Sequence, residues 1–161
     1  MQEQHRKLVS FYVMSRGALN GSVKALPRCN DPLVRYKISD TELENLGEGM
    51  QGLAKVLFAA GAKRVFTGLS ECSELTRRAQ VEQIPNSLAK SVDNIMTIHM
   101  MASCPMGGDP SRSVVDSWGR VHGQSGLHVA DVSILCASPG VNPQGTIMAL
   151  AKRNSDHFLR G

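Results

Sequence analysis

Two polar residues stand where apolar segments give way to glycine-rich loops, and they are the chain's best candidates for chemistry. His99 lies within the apolar segment IMTIHMM, just ahead of the loop ASCPMGGDPSRS. A histidine can take up a proton near neutral pH. Asn142 follows the loop CASPGV, and its side-chain amide can hold a hydroxyl oxygen. Taken singly, His99 is more often a satisfied core or edge histidine and Asn142 more often only a helix cap. Spacing alone does not bring the two together.

Asn142 belongs to the stretch around which the chain is organised, residues 127–159. Residues 127–135 are apolar and β-branched with Asp131 as the single charge, which predicts a strand. A loop rich in proline and glycine follows, and then a helix with Asn142 as N-cap and Pro143 at the first helical position. A strand–loop–helix of this kind directs free N–H groups and a positive dipole end at whatever lies above the loop. That is a place for an anion or an electron-rich ring oxygen.

The elements before this stretch predict the fold class. Residues 7–16, 22–26 and 33–39 have the pattern of strands, and the first two flank a glycine-containing turn as a hairpin does. A long helix runs from Ser39 or Asp40 to Ala60 and ends at Gly61. We therefore expect an α+β fold, an antiparallel sheet backed by this helix. The remaining predicted elements are a strand in 62–68, helices in 71–84 and 86–92, a strand in 95–101, and two extended pieces with turns at Gly119 and Gly123.

Composition excludes several classes of function. With 161 residues, 42% of them apolar and 20% charged, the chain can bury a core of its own. No apolar run could span a membrane and no signal-peptide pattern is present, so a cytoplasmic location is predicted. The net charge of +4 comes from scattered basic residues with 4% aromatics, which does not predict nucleic-acid binding. The four cysteines lack metal-ligand spacing, so buried free thiols are expected, with no metal site and no disulfide framework.

An ordered series of short motifs fills residues 99–149. His99 is followed by Met-Gly at 106–107, VVD at 114–116, GRVHG at 119–123, GLHVADVS at 126–133 and NPQGTIMA at 142–149. This series closely resembles the C-terminal signature of the glucose–methanol–choline (GMC) flavoprotein oxidoreductases. One small departure is Ala102-Ser103, where the family often has Gly-Thr. The preceding strands and long helix also resemble the family's substrate-side sheet, so the resemblance covers nearly the whole chain.

The resemblance implies an activity and a cofactor. GMC enzymes oxidise the CH–OH group of an alcohol with FAD as the acceptor. By this resemblance His99 is the base that takes the alcohol proton while hydride passes to flavin N5, and Asn142 orients the substrate oxygen. The start of the final helix would stabilise negative charge on the reduced ring. The residues expected along the flavin nucleotide are Ala130, Asp131, Asn142, Pro143 and Gln144.

The family's nucleotide fingerprint, G-x-G-x-x-G between a strand and a helix, is absent from this chain. Gly47, Gly49 and Gly52 have the wrong order and lie inside a helical pattern. The expectation is therefore a C-terminal part of such an enzyme, whether a fragment, a truncated frame or one half of a split protein. Residues 1–103 would form the substrate side, and residues 104–161 would complete the FAD-binding lobe. The alternative is an inert chain that needs a partner carrying the nucleotide-binding unit, and in either case the isolated chain is expected to be inactive.

Overall fold

The structure, a computed structural model, describes residues 7–17, 21–89 and 95–160. They form two compact units: residues 7–15 with 40–89 and Ile95, and residues 16–17 with 21–39 and 96–160. Across the described residues, two two-stranded antiparallel sheets accompany two α-helices and short 3-10 helices. The α+β class is confirmed.

The first unit is built on the long helix α1, Asp40–Ala59, which confirms the helix predicted there. Asp40 and Glu42 lie in its first turn, where the helix dipole favours acidic side chains. Its end is closed by Gly61, whose φ of +93° suits glycine and whose N–H donates to the Phe58 carbonyl. Gly47 allows the chain at residues 85–86 to approach, because a Cβ there would lie 2.5 Å from the Asn86 carbonyl oxygen.

The partners of α1 differ from those predicted. It packs against a 3-10 helix, Arg78–Gln83, and against β3, Val65–Phe66. Strand β3 pairs with β4, Glu74–Leu75, so the helix predicted over residues 71–84 is wrong in its first half. The physical reason is a local turn: the Thr67 hydroxyl donates to the Cys72 carbonyl at 2.6 Å and closes the hairpin. Part of the short helix predicted over residues 86–92 lies outside the described residues.

The second unit contains the other hairpin, β1 at Ser22–Lys24 paired with β2 at Leu33–Arg35. The second and third predicted strands are thus confirmed in shortened form, and they pair with each other.

The strand predicted over residues 7–16 is wrong, since the structure has no strand in 7–17. That stretch carries five exposed large apolar side chains, namely Leu8, Val9, Phe11, Tyr12 and Met14.

Part of the second unit's core lies among loop segments that isolated β-bridges join to one another. Val115, which is fully buried, forms isolated bridges with Met106 and Val121. The two extended pieces and their turns are confirmed, with φ of +81° at Gly119 and +72° at Gly123.

The strand predicted over residues 127–135 is wrong beyond a single bridge at His128. Val132–Ile134 forms a 3-10 helix, because the Asp131 carboxylate accepts the Ser133 N–H at 2.8 Å and caps a local turn. Short polar side chains compete with ladder pairing in this way. The final helix, α2, runs over Gln144–Arg160 and is confirmed, starting one residue later than predicted.

Candidate functional site

His99 lies half-buried in a segment that belongs to no strand. The strand predicted over residues 95–101 is therefore wrong. The backbone of residues 95–101 makes one hydrogen bond to a described residue, from the Met101 N–H to the His99 carbonyl at 3.0 Å. The neighbouring Met96, Ile98 and Met100 are exposed. His99 is thus half-buried beside exposed apolar neighbours.

The loop after His99 is anchored to the segment that carries Asp131. The Cys104 N–H donates to the Ser133 carbonyl and the Met106 N–H to the Ile134 carbonyl, both at 3.1 Å. The Cys136 thiol donates to the Met106 carbonyl at 3.0 Å. These bonds hold the loop after His99 against the segment that carries Asp131.

A cluster that the sequence did not predict holds the glycine-rich turn of this loop. The Ser113 hydroxyl donates to the Asp109 carbonyl at 2.6 Å, and His122 Nε2 lies 3.0 Å from the Gly107 carbonyl oxygen and 3.2 Å from Ser113 Oγ. A ring nitrogen that faces a carbonyl must carry the proton, so His122 cannot also accept the serine proton. The pair therefore fastens the turn and is not a nucleophile with its base. Only the histidine within GRVHG could have signalled it in the sequence.

Beside this turn lies an open hollow of about 290 Å³. Its lining residues are Met106, Gly107, Gly108, Asp109, Arg112 and Ser113.

Three carboxylates of the second unit are held in their charged form. Hydrogen bonds from the Ser133 hydroxyl and N–H lower the pKa of Asp131, and hydrogen bonds from Ser111 lower the pKa of Asp109. Partial burial alone would raise the pKa of Asp116. Hydrogen bonds from the Arg120 backbone and guanidinium outweigh that burial, and the net pKa is lowered. Asp131 thus has a structural use as a cap, whatever else it binds.

The start of α2 is anchored on one side and open on the other. Pro143 is fully buried, and its carbonyl accepts the Ile147 N–H at 2.8 Å. Asn142 and Gln144 are exposed, and a Cβ added at Gly145 would meet nothing within 4 Å. The Asn142 side chain makes no hydrogen bond to a described residue, so the predicted cap is not formed. The loop before it is supported by Arg16, which donates to the Ser138 carbonyl at 3.1 Å.

The predicted cofactor residues share this unit. Ala130 and Asp131 are exposed, as Asn142 and Gln144 are. Within the described ranges no hydrogen bond joins the side chains of His99 and Asn142, and no group of three His, Cys, Asp or Glu residues could hold a metal ion. Of the helices described, none is long and apolar enough to cross a membrane.

The family model for GMC oxidoreductase matches residues 16–151. The chain belongs to the GMC oxidoreductase family. The match covers the family's C-terminal region, as the resemblance predicted, and it includes both His99 and Asn142.

Individual GMC relatives are longer than this chain. An uncharacterized GMC-type oxidoreductase of Sinorhizobium fredii is 42% identical over 151 residues, which are 93% of this chain but 30% of the relative. One from Mycobacterium tuberculosis is 35% identical over 156 residues, 91% of this chain and 23% of the relative. A long-chain-alcohol oxidase of Arabidopsis thaliana is 32% identical over 127 residues, 73% of this chain and 18% of the relative. The chain thus spans less than a third of the relatives it matches.

Proposed function

We propose that this chain is the C-terminal part of an FAD-dependent oxidoreductase that acts on the CH–OH group of an alcohol, with His99 as the base and Asn142 as the residue that orients the substrate oxygen. The observation that carries the proposal concerns the histidine rings. His122 is committed to the Gly107 carbonyl, His157 is stacked on Trp118 with ring centroids 4.0 Å apart, and His128 packs edge-on against Phe158. Among the described histidines, only the His99 ring has neither a hydrogen-bond partner nor a ring partner among the described residues.

Oxidation of an alcohol by hydride transfer requires a base such as this ring. Hydride leaves a carbon readily only if the hydroxyl proton leaves too, so a base must meet the oxygen. A half-buried imidazole with an uncommitted nitrogen can accept that proton. The exposed Asn142 amide can donate to the same oxygen and hold it in place.

The start of α2 fits a flavin. The first N–H groups of a helix have no partner inside it and carry the positive end of its dipole. Those of α2 belong to exposed residues beside open space at Gly145. FAD, when bound, supplies the acceptor for the hydride. The chain's contribution there would be the fixed N–H groups and dipole of α2, which favour negative charge near them. The residues we propose along it are Ala130, Asp131, Asn142, Pro143 and Gln144.

A second candidate is a chain that is inert until a partner polypeptide supplies the nucleotide-binding unit. The aligned region is 30% of the Sinorhizobium relative, so most of that relative has no counterpart in the sequence given. Visible flavin absorbance of the purified chain separates the two. A chain that binds FAD alone needs no partner for the cofactor, and a colourless chain that becomes yellow only with added partner supports the second.

The base assignment is tested in the flavin-loaded enzyme, reconstituted with a partner if one is required. We expect His99→Ala to slow anaerobic flavin reduction by about 10² to 10⁴, the usual contribution of a general base, while FAD stays bound. His128→Ala is the matched control, because His128 is exposed and contacts Phe158 through its ring edge. Stopped-flow reduction of the His99→Ala enzyme at the parent rate, with full flavin content, would refute the assignment.

A further inference from the structure

The final helix α2 is packed closely at one place along its length. Of its residues, Gln144–Arg160, only Asn154 is buried. It lies against the turn at Gly119, where an added Cβ would be 2.8 Å from Asn154 Nδ2. Asn154 Oδ1 accepts the Arg153 guanidinium at 3.0 Å, and Nδ2 has no hydrogen-bond partner among the described residues. Asn154 therefore makes no hydrogen bond to the turn, and its neighbours on α2 must supply the attachment.

Two side chains of α2 contact the ring of Trp118, the residue just before Gly119. The His157 ring is stacked on it with centroids 4.0 Å apart, and the Arg153 guanidinium carbon lies 4.7 Å from its centre. Arg153 also donates to the Ser117 carbonyl. Ring stacking and a cation over a ring both have preferred geometries, so these contacts set the orientation of α2 as well as its distance from the loop.

The backbone that carries Trp118 is tied to the rest of the unit. The Asp116 carboxylate accepts the Trp118 N–H at 2.8 Å. The preceding residue, Val115, is fully buried, and its carbonyl accepts the Gly107 N–H at 2.8 Å. Gly107 belongs to the glycine-rich loop that follows His99. Trp118 thus connects that loop to α2.

The start of α2 depends on this attachment for its direction. The start has one buried residue, Pro143, and a single point of contact does not fix the direction of a helix axis. From Gln144 to Arg153 the helix is about 14 Å long, and no residue in that stretch is buried. The contacts at Trp118 are therefore the second point, and a helix between two such points transmits a change at one to the other.

We propose that Trp118 is a positioning residue, which through Arg153 and His157 sets where α2 places Asn142. This inference rests on the proposed function, in which the Asn142 amide orients the substrate oxygen. Without the Trp118 ring, α2 is free to tilt and to slide along its axis. A displacement of about 1 Å at a positioned group lowers a reaction rate by about 100-fold.

The first test uses the isolated chain without flavin. Backbone amide chemical shifts of α2 are measured by NMR in the parent and in Trp118→Ala. We expect changes along the whole helix, including residues 144–147, and a return to parent values there in Trp118→Phe, which keeps a ring. Changes confined to residues 150–160 would show that Pro143 alone places the helix start, and the inference would be wrong. Arg153→Gln, at an exposed residue, provides the same comparison if Trp118→Ala does not fold.

The second test uses the flavin-loaded enzyme, reconstituted with a partner if one is required. We expect Trp118→Ala to slow anaerobic flavin reduction by about 10- to 100-fold and Trp118→Phe to recover most of the rate. If Trp118 acts through Asn142, Trp118→Ala should cost nothing more in an Asn142→Ala background, so the two losses are not additive. Gly123→Ala is the control for general destabilisation, because a Cβ there would meet nothing within 4 Å. It should leave the rate within about twofold in either background.

The outcomes separate this inference from the proposed function. Additive losses from Trp118→Ala and Asn142→Ala would overturn the positioning role alone, as would a parent rate in Trp118→Ala while Asn142→Ala is slow. Altered amide shifts at residues 144–147 in Trp118→Ala support the placement of the helix start by Trp118 even if Asn142→Ala reduces its flavin at the parent rate. That rate would then count against the proposed role of Asn142.

Discussion

Residues 95–101 and residues 127–135 have the same sequence pattern and different structures. Both are short, apolar and predicted as strands, and neither is a strand in the structure. In the second segment, Asp131 caps a 3-10 helix, and the carbonyls of Ser133 and Ile134 accept the N–H groups of Cys104 and Met106. The first segment has no carboxylate, and its backbone makes one hydrogen bond to a described residue, from the Met101 N–H to the His99 carbonyl.

Burial follows the same division. Ile134 is 1% exposed, whereas Ile98 is 62% exposed, although the two residues are chemically identical and belong to the same unit. An apolar run therefore needs a partner for its backbone as well as for its side chains. Residues 127–135 find both within the chain. In residues 95–101, Met96, Ile98 and Met100 are exposed, and the backbone makes one hydrogen bond to a described residue.

The largest change in stability that we predict comes from a substitution at Gly119, next to the backbone of Val129. A Cβ at Gly119 would lie 2.4 Å from the Val129 carbonyl oxygen and 2.8 Å from the buried Asn154 Nδ2, at a φ of +81°. Gly119→Ala should therefore lower the free energy of unfolding of the second unit by about 2–4 kcal/mol, combining backbone strain with overlap. Urea unfolding followed by fluorescence reports on this unit, since the chain's single tryptophan, Trp118, lies there, stacked on His157.

Gly123→Ala is the control for backbone strain alone. Gly123 has a φ of +72°, but a Cβ there would meet nothing within 4 Å. Its cost should be about 1 kcal/mol. Equal losses in the two variants would mean that residues 119 and 129 are not held as closely as the structure has them.

Much of this fold was predictable from local chemistry. The long helix α1 could be predicted because acidic residues begin it and Gly61 ends it. The turns at Gly119 and Gly123 could be predicted because glycine alone takes their φ at no steric cost. The strand predictions failed wherever pairing depended on distant residues. The run over residues 7–16 looks like a strand, but strands exist only in pairs, and a sequence pattern does not contain its partner.

In the candidate site, too, the residues marked by local motifs were predicted and those brought together by tertiary structure were not. His99 and Asn142 were predicted from the motifs around them, and the family match over residues 16–151 includes both, although their roles remain proposals. The Ser113–His122–Gly107 cluster was missed, because its geometry depends on a turn that brings residues 107, 113 and 122 together. Asp131 was predicted only as a cofactor residue, yet the structure also gives it a capping hydrogen bond to Ser133.

A smaller effect should appear in the second unit at acidic pH. The pKa values of Asp109, Asp116 and Asp131 are all lowered by hydrogen bonds in the folded second unit. A carboxylate with a lowered folded-state pKa contributes stability above its unfolded pKa, about 3.9, and loses it as pH falls through the lower folded value. The stability that these three carboxylates contribute should therefore be constant above about pH 5 and decrease at more acidic pH.

Asp131 provides the matched variants for that prediction. Asp131→Ala should cost about 1 kcal/mol at pH 7, as loss of a cap does. Asp131→Asn retains an acceptor for the Ser133 N–H, so it should be nearly neutral at pH 7 and flatten the acid limb. Urea midpoints from pH 3 to 7, followed by circular dichroism, measure both. An acid limb that is as steep in Asp131→Asn as in the parent would mean that this carboxylate is not stabilised by folding.

The smallest effect should come from the open segment. In the isolated chain, Ile98→Lys changes a side chain that already faces water, so its unfolding free energy should stay within about 0.5 kcal/mol of the parent. Ile134→Val, which removes a single methylene from a buried site, should cost more, about 0.5–1.5 kcal/mol. A charge at residue 98 would thus disturb folding less than one missing methylene at residue 134. The same urea series measures both variants. A loss of more than about 1 kcal/mol in Ile98→Lys would show that residues 95–101 are already packed in the isolated chain, and the contrast between the two segments would fail.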